Sequence, residues 1–395
     1  MARKTGELRR SAAAGEAVDA FVPYPQPPAS PPLELDGELV GRLARADQAV
    51  ARLDLAGQMV PSLDWFIYAF VRKEAVLSSQ IEGTEATLEE LLTYEATGEG
   101  KRPAADVEEV CSYLDALAWA RRELGRPRGL PFSMRLVHGV HRRLMRGVRG
   151  ASRQPGEVRR VQNWVGGARP SAATFIPPPP QEVQRLLGEL ERYVHGEDRL
   201  PPLVRAGLVH VQFETIHPYL DGNGRVGRLL VALLLEHWKL LSAPLLYLSL
   251  FFKRRRPDYY RLLNAVRRDG EWEGWTAFFL EGVAEIAEES ASAARDLHRL
   301  VAKDRERVVI ARGSSLTAVR LLELLPRHPV VTISGTVKML DTTKPTATKA
   351  VGLLESLGVL RETSGRKRDR IVRYQRYLAL LSAGTELARA RPGSR

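Results

Sequence analysis

Apolar residues at helical spacing recur along most of this chain, and no other feature constrains its fold as strongly. Between Leu39 and Leu53 they follow intervals of three and four residues, and the same intervals return between Trp65 and Ala75. This spacing is typical of amphipathic helices. It continues through residues 107–124, 133–145, 181–193, 204–215, 224–241, 259–266 and 272–302, so the sequence predicts a mainly α fold.

One segment lacks the helical period. Residues 154–180 are rich in Gly, Pro, Val and Trp. Two short strands of a β-hairpin, Val158–Val165 and Thr174–Ile176, fit this composition, with Gly166 and Gly167 in the turn region. We therefore expect a helical body that carries one hairpin.

Composition divides the chain into four parts. Residues 1–34 contain a proline-rich run and little apolar periodicity, which predicts an irregular arm. A helical extension is expected at 35–125, a helical core with the hairpin at 126–303, and a small module at 314–380. A length of 395 residues allows two or three domains.

Positive charge is concentrated in the module at 314–380. The whole chain has a formal net charge of +12, and this module contains twelve Lys or Arg against five Asp or Glu. Three short helices, followed by two segments that can pair as strands, predict a small α+β winged-helix domain. In that interpretation Lys344 and Lys349 lie on the recognition helix, and Arg366, Lys367 and Arg368 lie on the wing.

Two roles stay open for this module. A basic winged helix is suited to bind DNA or RNA. The same shape can serve protein docking or dimerisation, since a fold does not fix a function. The local charge favours nucleic acid, with DNA as the expected partner, and a homodimer stays open. Because the module lies outside the helical core, we expect its substitution to leave chemistry elsewhere unchanged.

The residue inventory excludes several classes of protein. The single cysteine, Cys111, excludes an intrachain disulfide framework and a thiolate zinc cluster, and it fits a reducing cytosol. His138 and His141 lack the further ligands of a metal site. The charge-free stretch Leu240–Phe252 is too short to span a bilayer, and no secretory leader is recognisable. We expect a cytoplasmic protein without a membrane partner.

The segment from His217 to Arg228, H-P-Y-L-D-G-N-G-R-V-G-R, contains groups suited to phosphate chemistry. Two glycines around Asn223 precede an apolar helix, so N–H groups at its positive end form an anion site. Arg225 and Arg228 share one side of the first turn and can clamp phosphates. Asp221 is a hard oxygen ligand that suits Mg²⁺. A neutral His217 can take a proton from a hydroxyl, so the segment fits nucleotidyl transfer.

This segment resembles the Fic-domain signature, H-P-F-x-D/E-G-N-G-R-x-x-R, with Tyr219 where the family usually has Phe. The resemblance implies a Fic-type helical bundle that transfers AMP from ATP, with Mg²⁺, to a Ser, Thr or Tyr hydroxyl of a target protein. It implies His217 as general base, Asp221 as metal ligand, and as ATP- or phosphate-binding residues Gly222, Asn223, Gly224, Arg225, Gly227 and Arg228. Some relatives transfer other phosphate-containing groups, and the segment alone leaves those open.

A second motif, Ser78-Ser79-Gln80-Ile81-Glu82-Gly83, resembles the inhibitory-helix pattern S/T-x-x-x-E-G/N of self-restrained Fic proteins. The resemblance implies that Glu82 occupies Arg228, the cation that the γ-phosphate of ATP needs. Nucleotide then binds in a pose unsuited to attack. Ser78 is the first residue of this pattern, and whether Glu82 also assists AMP removal stays open.

The predicted hairpin resembles the flap of Fic proteins. The resemblance implies a strand edge that aligns an extended target segment through main-chain hydrogen bonds, formed by Gln162, Asn163, Trp164 and Val165. Tyr259 and Tyr260 lie where relatives place aromatic residues that contact adenine. A core position for this pair is an equally good interpretation.

Two functions of different class therefore compete. The first is a protein adenylyltransferase that acts on a target protein or on itself and is restrained by Glu82. The second is a nucleic-acid-binding regulator that uses the Fic body as a nucleotide sensor. The intact His217 favours the enzyme, because a sensor needs no base.

Overall fold

The computed structural model describes residues 3–29, 31–59, 63–98, 104–147, 152–366 and 370–387. They are mainly helical, which confirms the prediction from periodicity. The helices are α1 Gly37–Met59, α2 Leu63–Ile81, α3 Leu88–Thr97, α4 Ala105–Gly125, α5 Met134–Leu144, α6 Pro180–His195, α7 Pro202–Ile216, α8 Asn223–His237, α9 Ser249–Arg254, α10 Arg256–Asp269, α11 Trp272–Ile310, α12 Leu316–Leu324, α13 Ile333–Leu340, α14 Lys344–Ser356 and α15 Gln375–Ser382. The strands are β1 Gly6–Ala13, β2 Glu16–Pro23, β3 Val330–Thr332, β4 Arg361–Glu362 and β5 Ile371–Arg373. Within these ranges, none of the helices combines the length and the apolar character that crossing a membrane demands.

The prediction of an irregular arm at residues 1–34 is wrong, because β1 and β2 form an antiparallel hairpin. Ala14 and Gly15 form its two-residue turn, with φ of 46° and 83° in the left-handed region. Turns of this kind match the twist of the paired strands. Burial alternates along β2, where Val18, Ala20 and Val22 are buried, and this strand signal was obscured by the prolines that follow.

The hairpin predicted between 158 and 176 is reduced to a single antiparallel bridge of Val165 with Phe175. The N–H of Val165 donates to the carbonyl of Phe175 at 2.9 Å. A short 3-10 helix, Pro170–Ala172, lies between them. Residues 177–180 are all prolines, which lack the N–H groups that a longer ladder needs. We call residues 154–180 the flap loop.

The described fold divides into two compact units, each assembled from separate stretches of chain. Unit 1 comprises Met1–Asp54 and Ser112–Glu288, and unit 2 comprises Leu55–Cys111 and Glu289–Arg395. In unit 1, α7 is central, since all its residues from Leu203 to Ile216 are buried. Helices α6 and α8 pack against it. The approach of α8 is close, because a Cβ at Gly227 would lie 2.5 Å from Oε1 of Glu214.

Unit 2 joins α2 and α3 to the C-terminal module, although these parts lie far apart in the sequence. The module contains a three-stranded sheet in the order β3-β5-β4, with antiparallel pairs, and the helices α12, α13 and α14. Helix α3 packs against β3, and α15 packs against both α2 and α3. Part of the predicted helical extension thus shares unit 2 with the predicted module.

Asp304 on α11 holds a buried polar cluster in unit 2. Its side chain is fully buried and accepts hydrogen bonds from the hydroxyl of Tyr374 at 2.8 Å, from Arg376 at 2.6 Å and from Arg307 at 2.8 Å. Two cations and a buried hydroxyl thus share one carboxylate. The cluster ties the long helix α11 to the segment around α15.

We expect Asp304→Ala to lower the free energy of unfolding of unit 2 by about 3 kcal/mol, because removing one partner of a buried ion pair leaves the others without an acceptor. Urea unfolding of the full chain measures the effect. Asp296→Ala is the matched control, because its pair with Arg299 is exposed and such pairs contribute about 0–1 kcal/mol. Equal losses in the two variants would contradict the prediction.

Candidate active site

Helix α7 ends directly before the first residue of the predicted motif. His217 is its C-cap, with φ 49° and ψ 59° in the left-handed region, and its N–H donates to Phe213 O at 3.0 Å. Pro218 follows and has no N–H with which to continue the helix. A residue other than glycine is uncommon in this conformation and is held there by its surroundings. The half-buried His217 therefore lies at a sharp turn of the chain.

Arg159 of the flap loop holds this turn in place. Its side chain is 1% exposed. Nε donates to the carbonyl of His217 at 2.9 Å, and Nη2 donates to the carbonyls of Pro178 at 2.5 Å and Ile216 at 3.5 Å. The backbone N–H of Arg159 donates to Pro218 O at 3.0 Å. One buried guanidinium thus fixes the backbone on which the candidate base lies.

Arg159 is not among the residues that the sequence patterns indicate. Burial lowers the pKa of this guanidinium to about 10, so it stays charged near neutral pH. Its neighbour Arg160 is exposed. A regular strand would have placed the two arginines on opposite faces, but the sequence does not record which one points inward, so no local signal could have singled out Arg159.

Residues 217–222 join α7 to α8, and we call them the motif loop. Tyr219 anchors this loop in the core of unit 1. Its side chain is fully buried, and its ring stacks on that of His141 with centroids 3.7 Å apart and planes at 5°. Its hydroxyl forms a hydrogen bond of 2.8 Å with Nδ1 of His138. The phenylalanine that is usual at this position would lack that bond, so tyrosine adds a polar link between the loop and α5.

His141 holds the same loop through hydrogen bonds. The N–H of Gly156 donates to Nδ1 of His141 at 2.8 Å, which places the ring proton on Nε2. Nε2 then donates to the carbonyl of Asp221 at 3.0 Å. Burial lowers the pKa of His141 to about 4, against the opposing effect of the bond to Asp221. The neutral imidazole therefore links the flap loop, α5 and the motif loop.

The side chain of Asn223 closes the motif loop on itself. Its Oδ1 accepts from the N–H of Tyr219 at 2.9 Å, and its Nδ2 donates to Tyr219 O at 2.8 Å. The side chain is buried, and its two polar groups bond within the loop. The N–H of Gly222 donates to Oδ1 of Asp221 at 2.6 Å. The predicted anion site therefore consists of backbone N–H groups in the first turn of α8, which lack intrahelical acceptors.

Gly222 is required at the N-cap of α8 for two reasons. Its φ of 77° lies in the left-handed region. A Cβ at this position would also lie 2.7 Å from Sδ of Met145. A larger residue would therefore displace the loop that carries the anion site.

Arg225 and Arg228 lie in the first two turns of α8, and both are buried. Nη2 of Arg225 lies 3.9 Å from Oδ1 of Asp221 and 3.7 Å from Sδ of Met145. The charges of the two arginines add to the positive potential of the N-terminus of α8. The structure thus brings the predicted residues from His217 to Arg228 together on one turn and one helix end.

Asp221 is the candidate metal ligand, and its side chain is 48% exposed. In the part of the chain that the structure describes, no three His, Cys, Asp or Glu residues cluster so as to hold an ion. Mg²⁺ beside nucleotide needs only one or two carboxylates, because phosphates and water supply its other ligands. A single accessible carboxylate next to an anion site fits such an ion.

Tyr259 is a core residue, which contradicts its predicted contact with adenine. Its side chain is 1% exposed and its hydroxyl lies 2.9 Å from Nε2 of His210. Nδ1 of His210 lies 3.0 Å from the carbonyl of Gly227 and must donate to it, so Nε2 accepts from Tyr259. Burial lowers the pKa of His210 to about 3. Adenine contact by Tyr260, which is 37% exposed, stays a prediction.

The predicted docking residues of the flap loop differ in burial. Gln162 is buried and its Nε2 donates to Pro177 O at 2.8 Å. Nδ2 of Asn163 donates to Tyr219 O at 3.1 Å. These two side chains fasten the flap loop, whereas Trp164 and Val165 are half-buried. Target docking by the flap loop stays a prediction.

The predicted inhibitory residues lie in unit 2. Ser78 is buried in α2, and Glu82 is exposed directly after the last residue of that helix. The N–H of Glu82 donates to Ser79 O at 3.0 Å, and Gly83 follows with φ 93°. The glutamate is therefore held on a turn that glycine makes possible.

The predicted nucleic-acid residues also lie in unit 2. Lys344 and Lys349 are exposed on α14, and Arg366 is exposed after β4. Lys367 and Arg368 lie outside the described residues. The described cations therefore lie on two different elements of the module.

Comparison with known families agrees with this geometry. Residues 40–122 match the family described as Fic/DOC family N-terminal, and residues 131–235 match the Fic/DOC family itself. The second match includes the flap loop, α7 and the start of α8. The chain therefore contains the N-terminal and Fic domains of the Fic/DOC family.

Individual relatives share a third or less of their aligned residues with this chain. The chain is 33% identical over 153 residues to the protein adenylyltransferase Fic of Drosophila erecta, a match that covers 38% of this chain and 27% of that protein. The match thus spans about a quarter of the relative's length. A crystal structure of a Fic family protein from Desulfovibrio desulfuricans has a TM-score of 0.54 at 21% identity, covering 86% of this chain and 97% of its own. A Fic domain containing signaling protein from Bacteroides thetaiotaomicron has a TM-score of 0.51 at 18% identity, covering 65% and 97%.

We expect His141 to make stability depend on pH. Its folded pKa of about 4 lies below the ordinary value of about 6.5. The unfolded chain therefore binds the proton more readily, so this contribution is fully present above pH about 6.5 and is lost as pH falls toward 4. The slope from this one group reaches about 1.4 kcal/mol per pH unit.

Urea unfolding of the wild type and of His141→Gln between pH 7.5 and 4.5 measures this effect. We expect the variant to be less stable at pH 7.5, because Gly156 and Asp221 lose their partner, and to show a flatter slope below pH 6.5. His298→Gln, at a half-exposed position on α11, is the control that should keep the wild-type slope. An unchanged slope in His141→Gln would show that this histidine does not titrate as inferred.

Proposed function

We propose that this chain is a protein adenylyltransferase that moves AMP from ATP to a Ser, Thr or Tyr hydroxyl of a target protein or of itself. The observation that carries the proposal is the position of His217 on a fixed turn, six residues before the start of α8, where backbone N–H groups and two buried arginines lie. The relative named protein adenylyltransferase Fic supports the same reaction class.

In this proposal His217 acts as general base. The acceptor oxygen forms a bond to the α-phosphorus of ATP while its proton passes to the imidazole. The bond from the α-phosphorus to the bridging oxygen breaks, and pyrophosphate leaves with that electron pair. The N–H groups of α8, together with Arg225 and Arg228, neutralise charge on the phosphate oxygens.

Fixed geometry is the second contribution of the chain. The base lies on a backbone held by Arg159, and the anion site follows on a loop held by Tyr219 and Asn223. Groups that need no rearrangement during reaction stabilise a transition state most effectively. Asp221 would hold Mg²⁺, which supplies charge neutralisation between the phosphates when bound.

We further propose that Glu82 restrains the reaction by competing with the γ-phosphate for Arg228. This part rests on the sequence pattern from Ser78 to Gly83. The exposed position of Glu82 on a turn after α2 is compatible with such a role. A carboxylate and a phosphate cannot both take the same guanidinium fork.

The proposal is tested with α-labelled ATP and the purified full chain. We expect His217→Ala to lower AMP incorporation by about 10²- to 10⁴-fold, the usual contribution of a general base, while ATP binding stays nearly unchanged. His298→Ala is the control. Wild-type incorporation by His217→Ala would refute the mechanism, and label transferred only from γ-labelled ATP would indicate a different transferred group.

We expect Glu82→Gly to raise incorporation by on the order of tenfold or more, because charge-assisted bonds worth about 1.5–3 kcal/mol become available to the γ-phosphate. Glu85→Gly, at the neighbouring exposed acid, should have no such effect. Adding Arg228→Ala to Glu82→Gly should remove the gain, since both act through one cation. Additive effects would argue against a Glu82–Arg228 pair.

A further inference from the structure

The C-terminal module and the segment that follows it hold the predicted inhibitory motif from within unit 2. Gln80, the third residue of the motif, is buried near the end of α2. Its Nε2 donates both to Ala86 O and to Thr385 O, each at 2.9 Å. A buried amide is satisfied only while both carbonyls stay in place. The segment after α15 is therefore part of the support of the motif.

A second link connects the sheet of the module to α3. Nη1 of Arg373 on β5 donates to Glu89 at 2.8 Å, and its Nη2 donates to Thr93 at 3.1 Å. Both acceptors lie on the helix that directly follows the motif. At the other end of α2, Asp64 pairs with Arg327 of the module. The module thus contacts the inhibitory segment on both sides of Glu82.

The arginine that makes the second link has a like charge beside it. Arg361 lies directly opposite Arg373 in the β4–β5 pair. Such residues share one face of a sheet with Cβ atoms about 4.5–5.5 Å apart, and like charges there are destabilising. Arg361 is exposed, whereas Arg373 is partly covered and paired with Glu89. A phosphate bound by Arg361 would therefore also attract Arg373, in competition with Glu89.

The module carries further exposed cations besides Arg361. Lys344 and Lys349 are exposed on α14, and Arg366 is exposed beyond β4. Cations spread over a helix and a sheet suit a ligand with regularly spaced phosphates better than a single anion. The charge of the module fits duplex DNA as that ligand.

We propose that duplex DNA bound to the exposed cations of the module is an effector that relieves the restraint by Glu82. A backbone phosphate draws Arg373 away from Glu89, which loosens α3 and the end of α2 that Gln80 holds. Glu89, which supports the motif, and a DNA phosphate thus compete for the guanidinium of Arg373. The inference rests on the proposed role of Glu82. It replaces the expectation that substitutions in the module leave chemistry elsewhere unchanged.

The test measures AMP incorporation by the full chain with and without a 20-base-pair duplex at low salt. We expect the duplex to raise wild-type incorporation by about five- to tenfold, within the usual range of allosteric coupling. The increase should vanish in high salt, because phosphate contacts depend steeply on ionic strength. Arg361→Ala should lose the response to the duplex.

Three variants separate this inference from the proposed function. Glu89→Gln should raise incorporation without DNA, because Arg373 loses its charged partner. Glu82→Gly should be active and insensitive to DNA, since the restraint is already gone. Arg299→Ala, in an exposed pair on α11, should match the wild type in basal activity and in response to DNA.

Hydrogen exchange supplies a readout that does not depend on activity. We expect the duplex to increase exchange of the amides at residues 77–97. One outcome would overturn the effector site alone. In it, Glu82→Gly is active, but DNA neither activates the wild type nor speeds amide exchange at residues 77–97. An inactive Glu82→Gly would instead refute the proposed restraint, while faster exchange at 77–97 with DNA would still support the link between module and motif.

Discussion

The buried guanidinium of Arg159 is the interaction on which the rest of the candidate site depends. It donates to carbonyls at the end of α7 and to Pro178 O in the flap loop. The last carbonyls of a helix have no intrahelical donor, so a buried helix end needs such a partner. A cation at this end also complements the negative pole of the helix dipole. The position of His217 is therefore set by hydrogen bonds as well as by packing.

Two helix ends of opposite polarity meet at the motif loop. The C-terminus of α7 presents partial negative charge beside His217, and the N-terminus of α8 presents partial positive charge for phosphate. Beneath them, burial keeps His141 and His210 neutral, since the pKa of each is lowered. These histidines orient backbone without adding charge. The charges of the loop are thus left to Asp221 and to the arginines of α8.

The two compact units do not follow the order of the chain. Unit 2 combines the segment that carries Glu82 with the C-terminal module, because Gln80 bonds to Thr385 and Arg373 bonds to Glu89. A segment that a second module supports can respond to whatever that module binds. The arrangement thus gives the proposed restraint by Glu82 a physical route from the basic surface of the module.

The sequence by itself determined the helical fold and the motif from His217 to Arg228. These features are local, because helical period and the geometry of a helix start fix which residues meet. Tertiary structure decided the rest. It selected Arg159 over Arg160 as the buried support, placed Tyr259 in the core, and joined the module to α2 and α3. Such pairings depend on which surfaces exclude water when distant segments pack, and no spacing within one segment records that choice.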